Sequence, residues 1–212
     1  MSQDDFAVEP IKGLPGVPPE GEDILWQGCP NWWAFSKDSL KIHWVLGYFI
    51  LIAVWRYLSF YQLQGTKYAA AGSLLLLFLG VLACAILLLI AYIQTRVTVY
   101  TITTKRVVMR IGAALTVTFN FPFSKISNAN LVLKKDGTGT IAFELMGRNK
   151  ASYLVLWPHV RPWNISNPQP AFRCIDNPES VAKILAGAAM TQFNNPQIAK
   201  SKIHTSEYIA AE

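Results

Sequence analysis

The feature that most constrains this chain is an uncharged apolar run of 26 residues, from Tyr68 to Ile93. At about 1.5 Å per residue a helix over this run would be about 39 Å long, longer than the hydrocarbon core of a bilayer, about 30 Å. A buried helix of a soluble protein seldom runs this far without a polar face. The run therefore predicts a membrane-spanning helix at about 68–93.

A second apolar run, from Trp44 to Tyr61, precedes the first and contains a single charge, Arg56. Arg56 lies close to the far end of its run, so its long side chain can reach the headgroups. We therefore favour an anchoring arginine over a functional charge inside the membrane. The short connector between the runs predicts an antiparallel hairpin, with helices at about 44–61 and 68–93 inside a membrane segment of residues 42–95.

Basic residues flank this hairpin unequally. Lys67, with Arg56 just inside, marks the connector, whereas more Lys and Arg residues lie beyond the other two helix ends. Positive charge next to a membrane span favours the cytoplasmic side. The asymmetry predicts a multi-pass protein with both termini in the cytoplasm. The basic residues on the predicted cytoplasmic side are Lys37, Lys41, Arg96, Lys105, Arg106 and Arg110.

Positive charge is also concentrated after the hairpin. Residues 96–174 carry eleven Lys or Arg against two Asp or Glu. Such a block favours a polyanion, either nucleic acid or anionic lipid. No RNA-binding motif or recognition helix accompanies the charge, which disfavours nucleic acid. Lys105, Arg106 and Arg110 are therefore candidate contacts to anionic lipid or to an acidic partner. The alternative is that they only set the topology and face solvent.

The sequence after the hairpin alternates with a period of two, which is typical of β-strands. Residues 97–112 predict a β-hairpin, Asp136-Gly137 predicts the turn of another, and residues 152–157 predict a further strand. About six or seven short strands are expected between Arg96 and Trp157. Further alternating stretches are Ala114–Phe121 and Ile141–Leu145.

A helix is predicted to close this domain. Asp176 or Asn177 can cap it and Pro178 suits its first position. An apolar stripe with helical spacing would dock one face on the sheet. A small antiparallel sheet or open barrel with one C-terminal helix is the arrangement of pleckstrin-homology-like domains, here assigned to residues 96–193. The stripe consists of Val181, Ile184, Leu185 and Ala188.

The two ends of the chain have a different composition. Residues 1–41 are rich in Pro and Gly and predict an extended cytoplasmic arm, and residues 194–212 predict a flexible tail. Trp32 and Trp33, close before the hairpin, predict an interfacial belt or packing on the domain. The alternative is a patch that binds a partner.

No catalytic constellation is visible. The three histidines are far apart, and no metal-ligand spacing, glycine-rich phosphate loop or nucleophile elbow occurs. His43 could ligate a chlorophyll magnesium, but an ordinary interfacial histidine is favoured. His159 lies between prolines and tryptophans, where packing is favoured over a specific contact. The three cysteines fit neither a disulfide framework nor a metal site. We predict no enzyme, no cofactor, no metal and no catalytic residues.

Several segments together resemble a known family. The segment "EDILWQG" before the hairpin and "YTITTKRVVMRIG" after it resemble membrane-anchored bacterial proteins with a pleckstrin-homology-like domain. The segments "LWPHVRPW" and "PQPAFRCI" narrow the resemblance to the photosynthetic-complex assembly proteins of purple bacteria. The similarity extends from about Pro10 to Leu185.

The resemblance implies a non-catalytic factor that assists biogenesis of the photosynthetic reaction centre and the core light-harvesting complex. It implies a location in the bacterial inner (cytoplasmic or intracytoplasmic) membrane, with reaction-centre subunits and core light-harvesting subunits as partners and with self-association. An assembly factor must hold something, which narrowly favours a partner over lipid alone at the basic residues. The other hypothesis is a general membrane-anchored module that binds lipid or peptide.

Overall fold

The structure is a computed structural model that describes residues 11–112, 116–147 and 152–194, apart from the side chain of Gln64. Residues 1–10 of the predicted arm, residues 195–212 of the predicted tail and Leu115 of a predicted strand lie outside the described residues.

Helices and strands follow one another in an order that places one strand before the long helical segment and the others after it. The helices are α1 (Trp32–Asp38), α2 (Ile42–Val97), α3 (Tyr153–Leu156) and α4 (Pro178–Asn194). The strands are β1 (Ile24–Gly28), β2 (Val99–Thr103), β3 (Arg106–Ile111), β4 (Val117–Pro122), β5 (Ile126–Leu133), β6 (Thr138–Leu145) and β7 (Ala171–Asp176).

The segment α2 consists of two helical arms. The helix is interrupted at Gly65, whose φ of 78° and ψ of 170° are not helical and suit a residue without a Cβ. The first arm is Ile42–Leu63 and the second is Gly65–Val97, and both are long and apolar enough to cross a membrane. The prediction of two apolar helices ahead of a sheet domain is confirmed.

Small residues line the contact between the two arms. Ala53 of the first arm and Ala69 and Ser73 of the second are buried, although the arms otherwise expose most of their apolar side chains. A Cβ added at Gly80 would lie 2.7 Å from the Cβ of Phe49 on the opposite arm. Small residues let two helices approach closely. Helices in membranes commonly pack in this way, because no hydrophobic effect draws them together there.

Strand β1 pairs antiparallel with β2, although the whole of α2 lies between them in sequence. Gln27 is opposite Thr101, and Gly28 is opposite Tyr100. Part of the segment interpreted as an arm thus supplies a strand of the domain. Two antiparallel sheets result, one of strand order β1-β2-β3-β4 and one of strand order β5-β6-β7.

The core lies between the two sheets and α4. Its centre is aromatic: the ring of Phe172 lies 4.4 Å from that of Tyr100 and 4.9 Å from that of Phe143, measured between centroids. The predicted turn at Asp136-Gly137 joins β5 to β6, and the predicted C-terminal helix is confirmed as α4. From the predicted stripe, Val181, Leu185 and Ala188 are buried and Ile184 packs beside them.

The strand predicted at residues 152–157 is wrong. The backbone forms a short helix there, in which Leu156 N donates to Ser152 O and Trp157 N donates to Tyr153 O. Strand β6 is paired with β5 on one side and with β7 on the other, so this segment cannot pair with β6. The described part of residues 96–157 therefore holds five strands, and the remaining two, β1 and β7, lie outside that interval.

The close contact at Gly80 yields a stability prediction. Gly80→Ala should destabilise the protein by about 1–3 kcal/mol, because the new methyl group overlaps Phe49. Gly47→Ala is the matched control, since nothing lies within 4 Å of a Cβ there. That change should be neutral or stabilising by up to about 1 kcal/mol through helix propensity. Thermal unfolding in detergent, followed by circular dichroism, measures both. Equal midpoints for the two variants would contradict the packing.

Candidate functional site

The short helix α1 is held at the junction between α2 and the sheets. Asn31 caps it, because its Oδ1 accepts from the backbone N–H groups of Trp33 and Ala34 at 3.1 and 3.2 Å. The inner face of α1 buries Ala34 and Phe35 against Ala91 of the second arm and against Cys174 of β7. Helix α1 therefore contacts both the long helices and the domain.

An ion cluster at the end of α1 fixes this arrangement. The Asp38 carboxylate accepts from the guanidinium of Arg173 on β7, and Lys134 Nζ lies 2.9 Å from its Oδ2. The Arg173 side chain is only 6% exposed, and its Nη1 also donates to the carbonyl of Pro158 at 3.2 Å. The cluster ties α1 to β7 and to the end of β5.

The charge state of the cluster is fixed over the physiological range. Burial alone would raise the pKa of Asp38, but Lys134 and Arg173 outweigh burial and lower that pKa to about 2. A buried arginine remains protonated as well. The cluster of Asp38, Lys134 and Arg173, called the Asp38 clamp below, is therefore a structural contact. Asp38 cannot act as a general acid or base near neutral pH.

His159 is buried beside this clamp. Its Nδ1 lies 2.6 Å from the Tyr100 hydroxyl, its Nε2 lies 3.3 Å from Thr98 Oγ1, and its ring stacks on Phe35 at 5.3 Å. Burial, reinforced by the positive charge of Arg173, lowers the pKa of His159 to about 3. The imidazole is therefore neutral, and hydroxyl groups engage both of its nitrogens.

Arg106 makes a second ion pair, with Glu22, a residue that is distant from it in sequence. Its Nε lies 2.8 Å from Glu22 Oε1 and its Nη2 lies 3.0 Å from Oε2, a two-point contact. Thr103 Oγ1 also donates to Glu22 at 2.7 Å. Burial alone would raise the pKa of Glu22, but the hydrogen bonds from Arg106 and Thr103 outweigh it and lower the pKa. The Arg106 guanidinium therefore already binds a carboxylate of the same chain.

The three basic candidates do not form one patch. Lys105 and Arg106 lie at the β2–β3 turn, whereas Arg110 lies opposite Val99, next to the end of α2. Arg106 and Arg110 are four positions apart along β3, which separates their backbones by about 13 Å. Of the three basic candidates, Arg110 therefore lies nearest to the long helices.

The two tryptophans predicted as contacts lie on the outer face of α1. Trp32 is 46% exposed and Trp33 is 49% exposed, and their rings meet edge to face at 5.7 Å. Lys37 Nζ lies 5.2 Å from the Trp33 ring, within range of a cation–π contact. Helix α1 ends at Asp38, shortly before the first arm begins at Ile42. The two tryptophans therefore lie beside the base of the long helices, by which we mean the ends of the two arms at Ile42 and Val97.

Among the described residues, no group of three or more His, Cys, Asp or Glu side chains could hold a metal ion. Asp38 and Glu22 are both committed to ion pairs. Burial raises the pKa of the Cys174 thiol, which disfavours the reactive thiolate. The described side chains provide structural clamps and exposed contact surfaces.

Sequence reasoning did not single out Asp38, Glu22 or Arg173. The signal that could have found Asp38 is local: it is an acid among basic residues immediately before an apolar helix, in "SKDSLKIH". Its partners lie roughly a hundred or more residues away, and only the fold brings them together.

The clamp yields a second prediction. Asp38→Asn should destabilise the protein at pH 7 by about 3–5 kcal/mol, because it leaves the buried Arg173 without a counter-charge. Asp23→Asn, at an exposed position, is the control and should change stability by less than about 0.5 kcal/mol. Chemical denaturation in detergent measures both.

The same pair of variants has a defined pH dependence. The folded-state pKa of Asp38 is lowered, so its stabilisation is fully present above its ordinary value of 3.8 and is lost as the pH falls toward about 2. The difference between wild type and Asp38→Asn should stay constant from pH 8 to pH 5 and narrow only in stronger acid. A difference that varies near neutral pH would contradict the clamp.

Comparison with known proteins agrees with this architecture. Residues 39–189 match the family described as bacterial PH domain. An "uncharacterized 23.7 kDa protein in puhA 5′ region" of Rhodobacter capsulatus is 44% identical over 200 residues, which is 93% of this chain and 94% of the relative. A solved pleckstrin-homology-domain protein of Shewanella loihica, described as DUF1696, covers 43% of this chain and 71% of its own, at 10% identity and a TM-score of 0.30, too low to support a conclusion. The family match and the near full-length relative show that the chain belongs to the bacterial PH domain family.

Proposed function

We propose that this protein is a non-catalytic membrane assembly factor for the photosynthetic reaction centre and the core light-harvesting complex. The observation that carries the proposal is the relative from Rhodobacter capsulatus, which is similar over nearly its whole length and whose name places it beside the photosynthesis gene puhA. The proposal rests as well on the family, which indicates no enzymatic activity.

The proposed protein crosses the inner membrane twice, through the two arms of α2. Strands β1 and β2 pair with each other, and they lie on opposite sides of α2 in sequence. A hydrogen-bonded sheet cannot be divided by a bilayer, so both ends of α2 must lie on one side of it. This supports a hairpin that enters and leaves on the same side. Lys37, Lys41 and Arg96 at those two ends favour the cytoplasmic side.

The topology can be tested with reporter fusions. Reporters at Gln64, in the hairpin connector, and after residue 194 should report the periplasm and the cytoplasm respectively. A fusion at Gly16, before β1, is the matched control and should agree with the one after residue 194, because strand pairing holds both on one side. A periplasmic C-terminal reporter would refute the orientation, and disagreement between the two end fusions would refute the hairpin.

The structure supports a role in holding a client at a fixed height above the membrane. The domain is joined to the long helices at three places: the continuous step from α2 into β2, the β1–β2 ladder, and α1 with its Asp38 clamp. Such a connection fixes the orientation of the domain. A client membrane subunit can then pack on the arms while its cytoplasmic segment meets the domain.

The proposed contact surface follows from which candidates are exposed. Trp32 and Trp33 are exposed beside the base of the long helices, where both a client subunit and the interface can reach them. Lys105 and Arg110 are partly exposed on the sheet. Arg106 is partly exposed but bound to Glu22, and His159 is fully buried, so we assign both to the supporting structure and not to the contact surface. Anionic lipid and a second copy remain proposed partners besides the client.

A second candidate function is a general membrane-anchored module that binds lipid or peptide. The family match favours it, because the family's description names a PH domain and says nothing of photosynthesis. The two candidates differ in what the loss of the protein does to the cell.

A deletion strain separates the two candidates. We expect loss of the gene to lower the amount of assembled reaction centre and core light-harvesting complex in membranes, without accumulation of a pigment precursor. Absorption spectra of membranes and pigment extraction measure this. Complementation with Trp32→Ser/Trp33→Ser should restore less complex than the control Trp163→Ser, which alters a side chain that is 94% exposed. Normal complex levels in the deletion strain would refute the proposal and favour the general module.

A further inference from the structure

Strand β5 is an open edge of the second sheet. Among the described residues it pairs with β6 alone. Its eight residues, Ile126–Leu133, contain no charge and no proline. Natural proteins usually protect such an edge with charges, proline or a bulge, because unpaired N–H and C=O groups invite another strand. The register of β5 is irregular only between Ile126 and Asn128, and it is regular from Asn128 to Leu133. Leu131, Val132 and Leu133 are exposed at this edge.

The hydrogen bonds show which residues point their backbone outward. Lys134 N donates to Thr138 O across the β5–β6 ladder, so its backbone faces inward. Backbone direction alternates along a strand, so Ala129, Leu131 and Leu133 face outward. Consistent with this, the N–H of Ala129 donates to the side chain of Asn128 at 2.8 Å and to no strand. An incoming strand can displace that local contact.

An apolar groove runs beside this edge. It has a volume of about 310 Å³ and lies between β5 and α4. The α4 side carries three alanines, Ala182, Ala186 and Ala189, together with Leu185 and Phe193, while Leu131 and Ile141 form part of the sheet side. A strand added to β5 would direct alternate side chains into this groove, which is the usual way that such an edge gains specificity.

Charge selects the occupant. Exposed lysines bound the edge, Lys125 before β5 and Lys135 after it. Two copies of β5 paired antiparallel about Asn130 would place Lys125 of one opposite Lys135 of the other at both ends. Like charges directly opposite each other are destabilising. A strand with acidic residues at both ends meets the opposite charge instead.

We propose that the β5–α4 groove binds an extended peptide segment of another protein, in which alternating apolar residues are flanked on both sides by acidic residues. The segment adds an antiparallel strand to β5 through the outward groups of Ala129, Leu131 and Leu133. Its apolar side chains fill the groove and its acids meet Lys125 and Lys135. The inference concerns the domain alone and does not depend on the proposed function.

A defined probe tests the site. The probe is the fluorescein-labelled peptide Glu-Asp-Val-Thr-Val-Thr-Val-Thr-Asp-Glu, added to the full chain in phosphatidylcholine nanodiscs and followed by fluorescence anisotropy. We expect saturable binding that is at least tenfold weaker for the same peptide with lysine in place of every acid. Equal binding of both peptides, or binding of neither, would overturn the proposal.

Variants locate the binding. Ala186→Trp fills the groove from an exposed position and should weaken binding at least tenfold, whereas Met190→Trp, at an exposed position outside the lining of the groove, should not. Leu131→Pro removes one outward N–H without touching the β5–β6 ladder, so it should weaken binding more than Leu131→Ala does. Circular dichroism confirms that each variant is folded. Binding that survives Ala186→Trp, or equal loss in both Leu131 variants, would count against strand addition.

Two further experiments on the same protein test whether a second copy or the chain's own C-terminal residues occupy the groove. If sedimentation shows a dimer that Ala186→Trp dissociates, the groove belongs to a second copy and the proposal is wrong. If a chain that ends at Asn194 binds the probe at least tenfold more tightly than the full chain, residues 195–212 occupy the groove and the proposal is likewise wrong. A monomer with unchanged affinity after truncation supports an external segment.

Discussion

The pairing of β1 with β2 is the interaction on which the rest of the structure depends. These strands are separated in sequence by the whole of α2, and their ladder brings the two ends of that segment together. The first sheet is therefore complete only when the second arm of α2 brings β2 back beside β1. Domain and helical hairpin are therefore one folding problem, in which a long-range contact has to form across both arms.

Two acids of the N-terminal segment, the buried Glu22 and the half-buried Asp38, reinforce that closure. Glu22, close before β1, is bound by Arg106 and Thr103, and Asp38, at the end of α1, is bound by Arg173 and Lys134. Each acid is a partner for basic residues that the sequence presents as surplus charge. Part of the positive block therefore neutralises the N-terminal segment. The charge left for lipid or protein is smaller than the composition alone indicates.

The surface that remains divides into two regions with different physical character. The base of the long helices carries an aromatic pair, Trp32 and Trp33, suited to an interface between apolar and aqueous surroundings. The β5–α4 groove offers backbone groups and a largely apolar lining, suited to an extended chain. A protein that holds both a membrane segment and a cytoplasmic segment of one client needs surfaces of these two kinds. This is the link between the proposed function and the proposed groove.

The sequence by itself determined the elements whose signals are local. Length and apolarity gave the two helices, and cap and stripe gave α4. Period-two alternation gave the strands after α2, because these patterns involve neighbouring residues only. It misjudged residues 152–157, which form a short helix and cannot pair with β6, because β5 and β7 already flank that strand. Only the tertiary structure decided that β1 belongs to the domain, that Arg106 and Arg173 are internal counter-ions, and that β5 is an edge strand among the described residues. Each depends on contacts between distant residues, which no local pattern encodes.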